Sequence, residues 1–183
     1  TRVVAKIQGH MGEKYCKFAY SSKYGFSVQS AADILESIAP DSTLVFEVEG
    51  QYYPRLHFTD FEIQEDKIIT TWSPLDGIQV TTTIEPYQGG HTRRHVVESQ
   101  VDCTAYDCGF ALPMGEVGYK EHVEADCASI QYNGGFCTVA GAEGLIIKTQ
   151  PNTNLMYPRA SIPAVKYSIN SGQTVLETSV TFE

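Results

Sequence analysis

The sequence predicts an all-β chain: an antiparallel β-sandwich in a single domain over residues 1–183, with at most one short helix. Three observations predict it. Apolar residues alternate with period two in most segments, as half-buried strands require. β-Branched and aromatic residues gather in runs spaced about 8–12 residues apart. Asp76-Gly77, Gly89-Gly90 and several prolines punctuate those runs, and these are turn residues.

Taken in order, Thr43 to Glu49 reads as a strand that stops at Gly50. Arg55 to Phe58 leads through Thr59 and Asp60 to Ile63, and Lys67 to Trp72 stops at Ser73-Pro74. Ile78 to Ile84 follows Asp76-Gly77 and runs into Glu85-Pro86. His91 to Val101, Gly144 to Lys148 and Thr174 to Phe182 complete the strands. Within Ala31 to Ala39, Ile34, Leu35 and Ile38 share a helical face. At about two turns, such a helix does not stand without tertiary support.

Composition narrows the function. The 183 residues carry a net charge of −9, which argues against nucleic acid or an anionic membrane as partner. No apolar run reaches the roughly 20 residues that span a bilayer. The first residue is Thr1, so the chain is expected to be a processed product or a piece of something longer. Of the cysteines, Cys103 with Cys108 and Cys127 with Cys137 are spaced so that each pair can close a loop, and buried free thiols are the alternative. No Cys-x-x-Cys occurs, so neither a thiolate zinc site nor thioredoxin chemistry is expected; no metal or cofactor is expected in the reading as a whole. The cysteines leave the compartment open, with an extracellular location slightly favoured over a cytoplasmic one.

Four places carry chemistry. In His91-Thr-Arg-Arg-His95 the neighbours read as strand, which puts His91, Arg93 and His95 on one face and Thr92 and Arg94 on the other. That face is either a solvated or interdomain polar surface, or a surface for an anionic ligand gathered around Arg93. His10, between Gly9 and Gly12, is a turn residue or an imidazole free to act as acid or base. The loop Gln150 to Arg159 offers Asn152, Asn154 and Arg159 as loop scaffolding, or as hydrogen-bonding groups for sugar hydroxyls. Pairs such as Glu47/Glu49 and Asp60/Glu62 are expected to face solvent. No nucleophile elbow, phosphate loop or dinucleotide fingerprint is present.

The fourth place is Glu13 to Val28, where Tyr15, Phe18, Tyr20, Tyr24 and Phe26 interleave with Lys14, Lys17 and Lys23. This block resembles a signature of an uncharacterised fungal and bacterial family related to the heparinase II/III-like polysaccharide lyases. Ala39 to Leu44, His91 to His95 with Gly109 to Leu112, and Pro151 to Arg159 resemble its later segments in the same order. The resemblance implies the C-terminal β-sandwich of a two-part protein whose (α/α) toroid supplies most of the substrate cleft. It also implies His10, and with it His91 and His95, as this domain's share of that cleft.

Two functions follow. One is a carbohydrate-binding, lectin-like or accessory domain, non-catalytic on its own, in which Tyr15, Tyr20, Tyr24, Tyr52, Tyr53 and Trp72 stack on sugar rings. The other is a uronate-polysaccharide lyase acting by β-elimination, alone or together with the missing toroid, with His10 or His95 as base and Arg93 or Asn154 neutralising the carboxylate. Both name a glycan or polysaccharide as partner, and an exposed apolar patch left by a missing toroid makes a homodimer the expected assembly.

Overall fold

The computed structural model describes residues 44–54, 60–109, 112–113, 118–132, 135–148 and 160–182. Among these residues every regular element is a β-strand. In chain order they are β1 (Leu44–Val48), β2 (Gln51–Pro54), β3 (Asp60–Ile63), β4 (Ile68–Trp72), β5 (Ile78–Tyr87), β6 (Gly90–Ser99) and β7 (Cys103–Cys108). There follow β8 (Leu112–Pro113), β9 (Lys120–Val123), β10 (Cys127–Tyr132), β11 (Gly135–Ala140), β12 (Glu143–Lys148), β13 (Ala160–Ile169) and β14 (Gly172–Phe182). The predicted helix at Ala31 to Ala39 lies outside the described residues.

The strands form two antiparallel sheets stacked as a sandwich. A six-stranded sheet runs β12-β13-β7-β1-β2, with β8 pairing β13, and an eight-stranded sheet runs β3-β4-β5-β6-β14-β11-β10-β9. The chain passes back and forth between them, and β14 closes the larger sheet from within, between β6 and β11.

Alternation decides which residues fill the space between the sheets. From the larger sheet Trp72, Ile78, Val80, Val97 and Leu176 point inward, and they meet Leu44, Phe46, Ala105 and Ile169 from the smaller. Phe46 and Trp72 pack edge to face with ring centroids 5.8 Å apart, an arrangement that favours the positive edge of one ring against the face of the other. Trp72 is 1% exposed, so this ring belongs to the core and does not stack on sugar.

The smaller sheet is apolar on its other side as well. There Val45, Tyr106, Cys108, Ile147, Ile162 and Ala164 form a separate buried cluster, contributed by that sheet alone. A sheet covered on both faces loses the alternating pattern, which is why β7 and β13 do not stand out in the sequence.

The four described cysteines are free thiols. Cys103 and Cys108 end the same extended strand, about 17 Å apart at 3.4 Å per residue, well beyond disulfide reach. Cys127 pairs with Ala140 while Cys137 pairs with Ile130, so the second pair is out of register too. Among the described residues no helix is long and apolar enough to cross a membrane.

Candidate functional site

The site starts from the pattern of β6. His91, Arg93 and His95 are 3–4% exposed, while Thr92 and Arg94 are exposed, so the first three share one face as their spacing requires. That face is not a solvated surface. It points between the sheets, toward β7.

Buried charges need partners, because desolvation costs several kcal/mol per ion unless hydrogen bonds and opposite charge offset it. Asp107 of β7 is the partner. Arg93 Nη2 lies 3.2 Å from its Oδ1, and His95 Nε2 lies 3.0 Å from its Oδ2. Arg93 also donates from Nη1 and Nη2 to the Cys108 carbonyl, each at 3.0 Å. Burial alone would push the Asp107 carboxyl up. The Arg93 charge, with the neighbouring His95 and hydrogen bonds from His95 and Thr178, outweighs it and holds the carboxyl below its usual range.

The network continues to the core. Thr82 Oγ1 lies 2.8 Å from His95 Nδ1 and accepts the Trp72 indole N–H at 3.3 Å. One polarity satisfies every group: Trp72 N–H to Thr82, Thr82 O–H to His95 Nδ1, and His95 Nε2–H to the Asp107 carboxylate. His91, at the other end of the row, is pushed down to about 3, first by burial and then by the Arg93 charge. It is therefore a neutral imidazole at physiological pH.

The described tyrosines that touch carboxylates are held protonated. Tyr106 O–H donates to Glu47 Oε2 at 2.7 Å, and burial together with Glu47 pushes its hydroxyl far above the ordinary phenol. Glu47 is thus half-buried and engaged, whereas Glu49, Asp60 and Glu62 face solvent as expected. Tyr119 O–H donates to Glu121, which also accepts from Ser161 across the two sheets. Burial, then that hydrogen bond, pushes Tyr119 up to about 12. A phenol of this kind is a poor base at neutral pH.

Two further features carry less. Glu124, Asp126 and Cys127 bring one ligand atom each within 4.8 Å of one another, but the carboxylates are exposed and Glu124 already pairs with His122 at 2.7 Å. A cavity of about 660 Å³ opens at the turns between β4 and β5 and between β6 and β7, and Asp76, Glu98 and Gln100 line it without any aromatic ring or cation among the described residues.

His10, Tyr15, Tyr20, Asn152, Asn154 and Arg159 lie outside the described residues. Sequence reasoning missed Asp107, Thr82 and Trp72 as the companions of the β6 triad. A signal was present: Asp107 is the one acid in Cys103-Thr-Ala-Tyr-Asp-Cys108, a short run otherwise fit for burial, and such an acid calls for a buried cation.

The described residues define an antiparallel β-sandwich with an Arg–Asp–His network sealed between its sheets. Residues 8–138 match the family described as the DUF2264 C-terminal domain, and the chain belongs to that family. Its fold is similar to that of heparan sulfate lyase HepC from Pedobacter heparinus, with a TM-score of 0.55 at 9% identity over 80% of this chain and 24% of that one. Heparinase III aligns with a TM-score of 0.53 at 6% identity over 75% of this chain and 22% of the other. The chain thus spans about a quarter of the length of these lyases. No protein of curated function matches the sequence. The family relationship and the β-sandwich expected from the sequence are the ones found.

Proposed function

We propose that this chain is an accessory β-sandwich domain that meets glycan as part of a lyase-type protein and is not catalytic on its own. One observation carries the reading. Within the described residues, His95 and Arg93 are both bound to Asp107 between the sheets and His91 is buried on the same face, all at 3–4% exposure, where no polymer reaches. A β-elimination needs a base open to the sugar C5 proton and a cation open to its carboxylate. His95 and Arg93 are closed to both, and the carboxylate-bound tyrosines are held protonated.

The partner in this reading is an (α/α) toroid domain of a longer precursor, and the substrate-facing groups are supplied jointly. Self-association of the isolated chain belongs to the same reading, since Ile63, Val123 and Val175 leave apolar surface exposed.

The test is direct. The purified chain is incubated with uronate polysaccharides while the absorbance of unsaturated uronate is followed, and it is screened in parallel on a glycan array. The expected result is glycan binding without product. Product formation that His10→Ala or His95→Ala abolishes, in variants that still fold, overturns the accessory reading in favour of the lyase.

A further inference from the structure

The outward face of the eight-stranded sheet holds a second polar group that the buried network does not use. Thr83, Glu85, Thr92, Arg94, Glu177 and Ser179 line an open cavity of about 410 Å³, within the roughly 300–1,000 Å³ typical of small-ligand sites. Register places Thr83, Arg94 and Glu177 in one row across β5, β6 and β14, and Glu85, Thr92 and Ser179 in the next. Arg94 Nε and Glu177 Oε1 approach to 3.5 Å, with both side chains more than half exposed.

The third row begins at Tyr87 and runs through Gly90 to Thr181. The Tyr87 hydroxyl donates to the Val180 carbonyl at 3.2 Å and lies 2.9 Å from Thr181 Oγ1. Both partners are on β14, although Tyr87 is on β5 and β6 runs between them. Two strand spacings amount to about 9.5 Å, so the side chain must lie down along the sheet to reach. Gly90 makes room for it, since a Cβ there would stand 2.6 Å from the Tyr87 hydroxyl oxygen and 2.2 Å from the Val180 carbonyl oxygen. The ring is tethered at its tip and 43% exposed, which leaves one face toward solvent beside the cavity.

We infer that Tyr87 and the adjoining cavity form a saccharide site for a neutral glycan. One sugar ring lays its apolar C–H face on the Tyr87 ring. The hydroxyls of that ring or its neighbour meet Glu85, Thr92, Ser179 and the Arg94–Glu177 pair, where carboxylates accept and the guanidinium donates. Charge sets the class of ligand. Arg93 also borders the cavity, but its guanidinium is paired with Asp107 between the sheets; the carboxylates of Glu85 and Glu177 against the Arg94 guanidinium, on a chain of net charge −9, disfavour a sulfated or uronate polymer and leave an uncharged one as the fitting partner. The inference rests on the glycan-facing reading above and narrows its ligand class.

The test uses the whole chain with neutral hexose oligosaccharides (cellohexaose, laminarihexaose and mannohexaose) beside oligogalacturonate and heparan sulfate fragments, read by calorimetry and saturation-transfer NMR. A neutral oligosaccharide is expected to bind, and Tyr87→Ala is expected to weaken it by about tenfold or more, the loss of a stacked ring. Glu177→Gln, on an exposed side chain, serves where Tyr87→Ala disturbs the sheet and is expected to weaken binding severalfold. Neutral binding that both variants leave unchanged overturns this site and leaves the accessory-domain reading intact. Binding confined to the acidic fragments overturns the neutral class alone. A folded chain that binds none of the five probes overturns the site and the glycan-facing reading together.

Discussion

Arg93 and Asp107 face each other at 3.2 Å across the interior, one from each sheet. Each residue is 3% exposed or less, so the pair is a buried polar cross-link between the two layers. Removing one partner strands the other charge. Asp107→Asn or Arg93→Met is therefore expected to cost about 3–5 kcal/mol in urea unfolding. The double variant Arg93→Met/Asp107→Leu should cost clearly less than the sum of Arg93→Met and Asp107→Leu, because an apolar pair needs no compensation. Strict additivity in that cycle would remove the pair from the network.

Acid should loosen the fold in two windows. His91 has an ordinary unfolded value near 6.5 and is pushed down to about 3 in the native state, so the unfolded chain takes up a proton that the native chain refuses. Its contribution is fully present above pH 6.5 and shrinks as pH falls, by about 2 kcal/mol between pH 6.5 and pH 5. Asp107, held below its usual range, adds a loss that begins only as pH falls below about 4. Urea midpoints measured from pH 8 to pH 4 should show the first slope in the parent chain and lose it in His91→Gln. An unchanged slope in that variant assigns the effect elsewhere.

Thr82 is the hinge of the hydrogen-bond chain between Trp72 and His95. Thr82→Val keeps the shape and leaves an indole N–H and an imidazole nitrogen without their partner, at an expected cost of about 1–3 kcal/mol. Thr81→Val, one residue away on the outward face, should stay within about 0.5 kcal/mol. The Trp72 emission provides a second readout, since only the first change alters the indole environment. Equal effects at the two positions would contradict the network.

Gly141 has a backbone φ of 147°, and a Cβ added there would stand 2.2 Å from the Glu177 carbonyl oxygen and 2.5 Å from the Tyr167 hydroxyl oxygen. That hydroxyl donates to the same Glu177 carbonyl at 2.6 Å. Gly141→Ala must therefore displace β14 backbone or break the tyrosine anchor, and a loss of about 2 kcal/mol or more is expected. A thermal midpoint indistinguishable from the parent would mean that the corner has more room than the geometry gives it.

The strands read most closely from the sequence have one wet face, although β1 and β12 of the smaller sheet were read as well. In β4, β5, β6 and β14, inward residues alternate with threonines and charges, and the runs Lys67 to Trp72, Ile78 to Ile84, His91 to Val101 and Thr174 to Phe182 locate them within a few residues. β7 and β13 escaped because the smaller sheet is buried on both faces, and β13 carries Pro163 besides. The site divided in the same way. That His91, Arg93 and His95 share a face follows from period two alone. Which way the face points does not, because no apolar side chain among the three marks the interior. The direction is set by Asp107, on a strand of the opposite sheet.

The position of β14 has a consequence for how the domain comes into being. It is the last of the fourteen described strands in chain order, yet it lies between β6 and β11 in the eight-stranded sheet. Until it arrives, β3 to β6 and β9 to β11 are two separate ribbons, each with an open edge where β14 belongs. The edges of β6 and β11 must stay open until β14 pairs with both. Assembly is then a late, long-range event, and a nascent chain stalled before Gly172 holds two half-sheets in search of the same missing strand.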